Sequence, residues 1–223
     1  VSNLKLVLWS GGCDSTLALY EALLDQKLWV VDGKQLSEVR AISVVHPSVP
    51  CNGQQAVSRA KILAEFQKRG LVTRHSTVTV SNDADTPRRG KDGGSIQTQI
   101  WLGAVAPYLD DTESLNLGWI EGEFDNADHA IAAFDALQKV NGKTGKLAFP
   151  LQRRTKPEII ERLRKAELLD LCWYCEGVGD DRSADTIEAS CGSCLKCIKH
   201  ATALWQLEHW PHEALVAATI LDK

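Results

Sequence analysis

Leu4-Lys5-Leu6-Val7-Leu8-Trp9-Ser10-Gly11-Gly12-Cys13-Asp14-Ser15-Thr16 is the stretch that decides the fold. Its first six residues are a short apolar run closed by serine and glycine, which reads as a buried strand. From Thr16 to Asp25, Leu17, Tyr20, Leu23 and Leu24 recur at helical spacing. Between strand and helix, two glycines let the backbone approach a ligand with no Cβ in the way. The amides that open a helix are unpaired and face whatever anion sits there, helped by the helix dipole. A tight turn capped by Asp14 or Ser15 would need only part of this string. The full Ser-Gly-Gly-x-Asp-Ser sequence in a strand–loop–helix context points to a nucleotide site, with Ser10, Ser15 and Thr16 adding hydroxyl donors.

Further strands and helices alternate along the chain. Strand-like runs cover Val39 to Val45, Thr77 to Val80, Ser114 to Trp119 and Lys146 to Phe149. Helical patterns cover Gln54 to Arg69, Ile96 to Leu109, Asn126 to Val140 and Lys156 to Ala166. This alternation implies right-handed crossovers and an α/β fold: a Rossmann-like parallel sheet with helices on both faces. Ligands in such sheets sit beyond the carboxyl ends of the strands. The loops of interest are therefore Ser10–Ser15, His46–Gly53, Ser81–Gly94 and Ile120–Asp125. The alternation breaks after residue 167, which divides the chain into a nucleotide-binding domain over 1–167 and a cysteine-rich module with a C-terminal helix over 168–223.

Hydrophobic residues make up 44% and charged residues 24%, as in an ordinary globular protein. A net charge of −4 gives no basic excess for wrapping DNA or lying on an anionic membrane. No apolar run reaches the roughly 18–20 residues of a membrane span, and no signal-peptide pattern is present, so a cytoplasmic location is expected.

Of seven cysteines, four fall between Cys175 and Cys197. Clustered thiols in a cytoplasmic chain are more often metal ligands than disulfides. Cys191-Gly-Ser-Cys194-Leu-Lys-Cys197 spaces three thiols so that a turn and a helix start aim all three at one ion. The fourth ligand is Cys175, Cys172 or His200. Four thiolates with no open position favour structural zinc, although the same spacing also begins iron–sulfur runs. Cys13 and Cys51 have no partner visible in the sequence and read as inert. The tryptophans read as core residues, with Trp205 and Trp210 available for a subunit contact in an expected homodimer.

The loop lacks the closing Gly-Lys-Ser/Thr of a Walker A motif and instead resembles the PP-loop of ATP pyrophosphatases. That resemblance makes Ser10, Gly11, Gly12, Cys13, Asp14, Ser15 and Thr16 the ATP-binding residues, with Mg²⁺ offsetting the phosphate charge. It implies adenylyl transfer, in which a substrate oxygen attacks the α-phosphorus and pyrophosphate leaves. Two further stretches carry a narrower resemblance, to the 7-cyano-7-deazaguanine synthase family (QueC-like proteins). Phe149-Pro150-Leu151-Gln-Arg-Arg-Thr155-Lys156-Pro-Glu158-Ile159 is similar to the family's Pro-Leu-x-x-x-Thr/Ser-Lys-x-Glu-Ile segment. Leu171-Cys-Trp173-Tyr-Cys175 with the later three cysteines is similar to its Trp-Ser-Cys and Cys-Gly-x-Cys-x-x-Cys. The resemblance makes Cys175, Cys191, Cys194 and Cys197 the zinc ligands. It also turns Lys156 toward the ATP phosphates as a catalytic residue beside Asp14, where an ammonium stabilises the leaving pyrophosphate.

Family members activate 7-carboxy-7-deazaguanine with ATP and let an amine attack the acyl adenylate; with ammonia, a second dehydration gives the nitrile. This chain departs from the pattern in two places. Glu121-Gly122-Glu123-Phe124-Asp125-Asn126 replaces the family's Tyr-Pro-Asp-Cys-Arg segment, and Ser95-Ile96-Gln97 replaces its Arg-Asn pair. The departures imply another acyl acceptor, as in QueC-like proteins of bacterial antiphage (CBASS-type) systems, which attach a deazaguanine to a protein amine. Glu121, Glu123 and Asp125 are candidate substrate-binding carboxylates, and Arg88 a candidate lid residue on the phosphates or the substrate carboxylate. His46, ending the second strand, lies where adenine would stack. A PP-loop enzyme of RNA sulfur transfer and a non-catalytic nucleotide-binding module are the competing functions.

Overall fold

The computed structural model describes residues 3–28, 30–31, 34–35, 37–45, 51–80, 95–109, 114–121, 127–175 and 190–209. Strand β1 (Asn3–Leu8) runs through the middle of the main sheet. After it come the two-residue strands β2 (Val30–Val31) and β3 (Lys34–Gln35), then β4 (Ser37–Val45), β5 (Arg74–Thr79), β6 (Ser114–Asn116) and β7 (Lys146–Ala148). Five of them form one sheet in the order β5-β4-β1-β6-β7, with every pair parallel. Helices α1 (Cys13–Leu28), α2 (Asn52–Lys68), α3 (Ser95–Val105), α4 (Ala127–Val140) and α5 (Lys156–Lys165) lie between and after these strands, and α6 (Leu195–His209) follows the cysteines.

Strand β1 shows why the opening apolar run is continuous. Val7 and the following Trp9 enter a core with Leu17 and Leu23 of α1, Ile62 and Phe66 of α2, and Ile159 and Leu163 of α5. Leu6 points the other way, into a second core with Leu102 and Val105 of α3 and Phe134 of α4. Because both faces are covered, the strand cannot afford the alternation of a half-exposed one. Strand order reverses between β1 and β6, so a crevice opens at their carboxyl ends, where α1 begins.

Differences from the sequence reading have local causes. Helix α1 starts three residues early, at Cys13, because the Thr16 amide already bonds the Gly12 carbonyl at 3.0 Å. Helix α3 stops at Val105 and tightens into a 3₁₀ turn over Ala106–Tyr108, since Pro107 has no amide to continue the ladder. The antiparallel β2–β3 pair is absent from the sequence reading; the Asp32-Gly33 dipeptide between its strands is the signal that would have found it. Strand β6 ends at Asn116 rather than Trp119, for a reason given below. Leu168 and Cys172, at the start of the cysteine-rich tail, are packed into the same core as Trp9. Among the described residues, no helix is long and apolar enough to cross a membrane.

Candidate nucleotide site and metal centre

The chain leaves β1 through Ser10, Gly11 and Gly12. Gly11 sits at φ +91°, in the left-handed region, and a Cβ there would stand 3.1 Å from Arg59 Cγ and from the Gln55 carbonyl oxygen. The loop is pinned from behind. Arg59 Nη1 donates to the Ser10 carbonyl at 3.0 Å, and Ser58 Oγ lies 2.9 Å from the Gly11 carbonyl. The same Gly11 carbonyl accepts the Trp173 amide at 3.0 Å. Inside the loop, Ser15 Oγ lies 3.0 Å from Ser10 Oγ and accepts the Ser10 amide at 3.2 Å. With Thr16 the first residue on the helical ladder, the amides of Cys13, Asp14 and Ser15 precede it, which is the arrangement that receives an anion. Thr16 itself is fully buried and its hydroxyl accepts the Trp9 indole N–H at 3.1 Å, so Ser10 and Ser15 are the hydroxyls on the cavity side.

Gly118 explains the early end of β6. The chain there crosses the first turn of α1 so closely that a Cβ would lie 2.8 Å from the carbonyl carbon of Asp14 and from Ser15 N and Cα. Close backbone approach displaces regular pairing, and it seals one side of the crevice against the loop.

Opposite the loop stands Lys156. Thr155 caps α5: its amide and hydroxyl both donate to Glu158 Oε2, at 2.7 and 3.0 Å. This box, with Pro157 at the second helical position, fixes the turn that carries Lys156. Its Nζ meets both Asp14 oxygens, at 2.6 and 2.8 Å, and the two side chains are mostly buried. The two residues named as catalytic are thus in direct contact although 142 positions apart.

The cavity in front of the loop is lined by Ser10, Gly12, Cys13, Asp14, Ser15 and Lys156. Trp101, Trp119, Trp173 and Tyr174 add aromatic side chains to this lining, and Lys196 and Lys199 of α6 belong to it too. The sequence reading assigned the tryptophans to the core. Trp9 is fully buried in the first core and Trp119 packs against the second, and both line the cavity as well, as do Trp101 and Trp173. Glu121 is exposed and stands outside the cavity wall, its amide bonded to the Arg154 carbonyl at 3.0 Å. Arg88, Glu123, Asp125, His46 and Trp210 lie outside the described residues.

Cys13 has the partners that the sequence hid. Its thiol is drawn down to about 6, first by a hydrogen bond from Cys172, against the opposing effect of burial, with His200 and the charge of Lys156 also lowering it. Cys172 is pushed well above the usual thiol range by the same contact and by burial.

The Sγ atoms of Cys175, Cys191, Cys194 and Cys197 all lie within 4.8 Å of one another. The separations are 4.0 Å for Cys175–Cys194, 3.8 Å for Cys191–Cys197 and 3.4 Å for Cys194–Cys197. Backbone amides face the sulfurs: Cys191 N–H donates to Cys175 Sγ at 3.3 Å and Cys194 N–H to Cys191 Sγ at 3.4 Å. The fourth member is Cys175. Cys172 instead donates to the Leu168 carbonyl at 3.3 Å, and His200 stacks on Tyr174 at 3.7 Å. The donor set is a metal-binding one.

No known family model and no curated protein sequence matches the chain. Among solved structures it is similar to the U34-tRNA thiolase NcsA from Methanococcus maripaludis with its [4Fe-4S] cluster. The TM-score is 0.51 and the identity 16%, over 94% of this chain and 74% of that one. The likeness establishes the fold, a Rossmann-like parallel sheet with helices; the four-cysteine group is seen in this chain itself.

Proposed function

We propose that this protein uses ATP to adenylate the carboxylate of a 7-deazaguanine, 7-carboxy-7-deazaguanine, and passes the acyl group to an amine, a protein or peptide amine of a defence system. The observation that carries the reading is the Lys156–Asp14 contact at the mouth of the glycine loop, 2.6 Å across. It brings the glycine-loop motif and the Thr-Lys-x-Glu segment, 142 positions apart in the sequence, to one cavity, which supports adenylyl transfer there.

The amides of Cys13 to Ser15 and the hydroxyls of Ser10 and Ser15 take the β- and γ-phosphates of Mg-ATP. Lys156 would offset charge on the phosphates, and Asp14 beside it would hold Mg²⁺, which supplies further charge neutralisation when bound. A substrate carboxylate oxygen attacks the α-phosphorus, the bond to the bridging α–β oxygen breaks, and pyrophosphate leaves toward Lys156. The amine then attacks the acyl carbon of the adenylate. The carbon–oxygen bond breaks, AMP leaves, and the amine's surplus proton passes to water. The aromatic walls suit a flat heterocycle and keep water from the adenylate.

The four cysteines fit zinc. A tetrahedral ion with Zn–S of about 2.3 Å implies sulfur–sulfur edges of about 3.8 Å; three of the pairs here stand 3.4 to 4.0 Å apart and all lie within 4.8 Å. A [4Fe-4S] cluster puts each thiolate on its own iron and spreads the sulfurs around a cube. Zinc would supply a cross-link between residues 175 and 197.

The test is nucleotide chromatography and mass spectrometry after mixing the protein with Mg-ATP and 7-carboxy-7-deazaguanine, with and without ammonium. AMP, pyrophosphate and an acyl adenylate are expected. An amide or nitrile appearing with ammonium assigns ammonia as acceptor and gives a 7-cyano-7-deazaguanine synthase. No AMP under any condition refutes the reading.

A second reading, sulfur transfer to RNA, draws on the fold likeness to a tRNA thiolase and on the Cys13–Cys172 thiol pair beside the loop. It requires iron in the purified protein and thiolated RNA as product.

A further inference from the structure

Three cysteines stand outside the metal group, and two of them meet. Cys13 opens α1 at the end of the glycine loop, and Cys172 follows the 3₁₀ turn over Leu169–Leu171. The segments that carry them lie side by side. Ser58 Oγ bridges both, 2.9 Å from the Gly11 carbonyl and 2.6 Å from the Leu171 carbonyl. The Trp173 amide donates to the same Gly11 carbonyl at 3.0 Å, and a Cβ on Gly12 would stand 3.4 Å from the Trp173 carbonyl oxygen. Between these staples the two side chains enter one core with Trp9 and Leu17, and their thiols are in contact. Cys51 is engaged elsewhere, by the Gln55 amide nitrogen at 3.2 Å.

Cys13 has the surroundings of an attacking thiol. Contact with Cys172 first, then with His200 and the charge of Lys156, favours its thiolate against the cost of burial. Although only 1% exposed, it borders the cavity, so a small oxidant reaches it from the nucleotide side. Cys172 keeps its proton through the same contact and through burial, and stands ready as the resolving thiol. With hydrogen peroxide, the Cys13 thiolate attacks one oxygen, the O–O bond breaks, and the departing hydroxide takes a proton to become water. The Cys172 sulfur then attacks the Cys13 sulfenic acid. The S–O bond breaks and hydroxide leaves with the Cys172 proton as a second water. Two thiols are oxidised to one disulfide, and one peroxide is reduced.

The movement that closes this bond falls on the loop side. Cys172 is anchored by its own amide, which donates to the Leu169 carbonyl at 3.0 Å, and by the main-chain bonds of Leu171 and Trp173 on either flank. The amides of Cys13, Asp14 and Ser15 precede the helical ladder of α1, and they are the ones that face phosphate.

We propose that Cys13 and Cys172 are a redox pair whose disulfide closes the glycine loop to nucleotide and whose reduction reopens it. The proposal rests on the Mg-ATP site of the reading above and not on the identity of the acyl substrate.

The test treats the reduced full chain, metal retained, with equimolar hydrogen peroxide. Peptide mass spectrometry follows the link, elemental analysis the metal, and calorimetry the Mg-ATP affinity. Peptides joined through Cys13 and Cys172, lighter by two hydrogens, are expected with the metal still bound. Mg-ATP affinity should fall by about tenfold, as one or two misplaced amide hydrogen bonds would cost, and dithiothreitol should restore it. Mg-ATP added before peroxide should slow the link, since each state excludes the other. Cys172→Ala should bind Mg-ATP as reduced wild type does, and peroxide should carry its Cys13 on to sulfinic acid for want of a resolving thiol. Oxidation of the metal cysteines while Cys13 and Cys172 stay reduced overturns the pair. A complete Cys13–Cys172 link with unchanged Mg-ATP affinity overturns the switch. If the reduced wild type binds no Mg-ATP, the nucleotide reading itself fails, and the switch with it.

Discussion

Replacing Gly118 with alanine should disturb the nucleotide loop without touching a polar group. The new methyl would stand 2.8 Å from three backbone atoms of Asp14 and Ser15, where ordinary contacts begin at 3.4 Å. All three belong to main chain, so no side chain can swing aside. Either the end of β6 or the first turn of α1 must move by about half an ångström, and overpacking of this kind costs about 1–3 kcal/mol. For a chain of this size that lowers Tm by roughly 2–10 °C. The displaced turn carries the amides of Asp14 and Ser15, so Mg-ATP affinity should fall by about tenfold, the worth of one or two misaligned hydrogen bonds. Differential scanning fluorimetry and isothermal calorimetry read the two effects. Gly103→Ala is the control: nothing lies within 4 Å of its added Cβ, and in the interior of α3 it should stabilise slightly. Wild-type Tm and Mg-ATP affinity in Gly118→Ala would refute the claim that this crossing shapes the loop.

Lys156→Ala should cut the rate of AMP formation by about 10²–10³-fold while changing the KM for ATP less, since an ammonium aimed at the leaving group acts mainly in the transition state; steady-state kinetics decide it. One equivalent of zinc per chain is expected by elemental analysis, and Cys197→Ser or a strong chelator should remove it with loss of α6 helicity by circular dichroism; stoichiometric iron would exclude zinc. Cys13 titrates near 6 in the fold against 9.0 for an unperturbed thiol. A depressed pKa stabilises the fold above the unfolded value and gives nothing below the folded one. Stability from this group should therefore be complete above pH 9 and fall away as pH drops through about 6. Urea midpoints across that range should show this limb in wild type and lose it in Cys13→Ser.

Sequence patterns reached the scaffold because each rests on local chemistry. The run Leu4–Trp9 is apolar on both faces because the sheet is covered on both, and α5 begins at Lys156 as its helical pattern predicts. The Cys-x-x-Cys-x-x-Cys spacing describes one turn and one helix start, so its convergence is legible without a fold. Other parts of the site are fixed by contacts between distant segments. Nothing around Gly118 announces that it must clear the first turn of α1. Cys13 reads as isolated because Cys172 and His200 reach it only after the tail folds back. Trp9, though fully buried, borders the same cavity as Trp101, Trp119 and Trp173, and only the folded sheet brings these four distant indoles to one place.

The stapling of the Gly11 carbonyl to the Trp173 amide has a consequence for biosynthesis. A chain emerging from the ribosome presents its glycine loop before the segments that hold it, for that loop needs Ser58 and Arg59, Gly118 and residues 156 and 173 around it. Contacts of such sequence separation form slowly, after the intervening loops have closed. The growing chain therefore carries an unformed phosphate cradle through most of its synthesis. On the adenylation proposed above, a cradle able to hold ATP would form only once residues 156 and 173 have arrived, shortly before the cysteines of the tail.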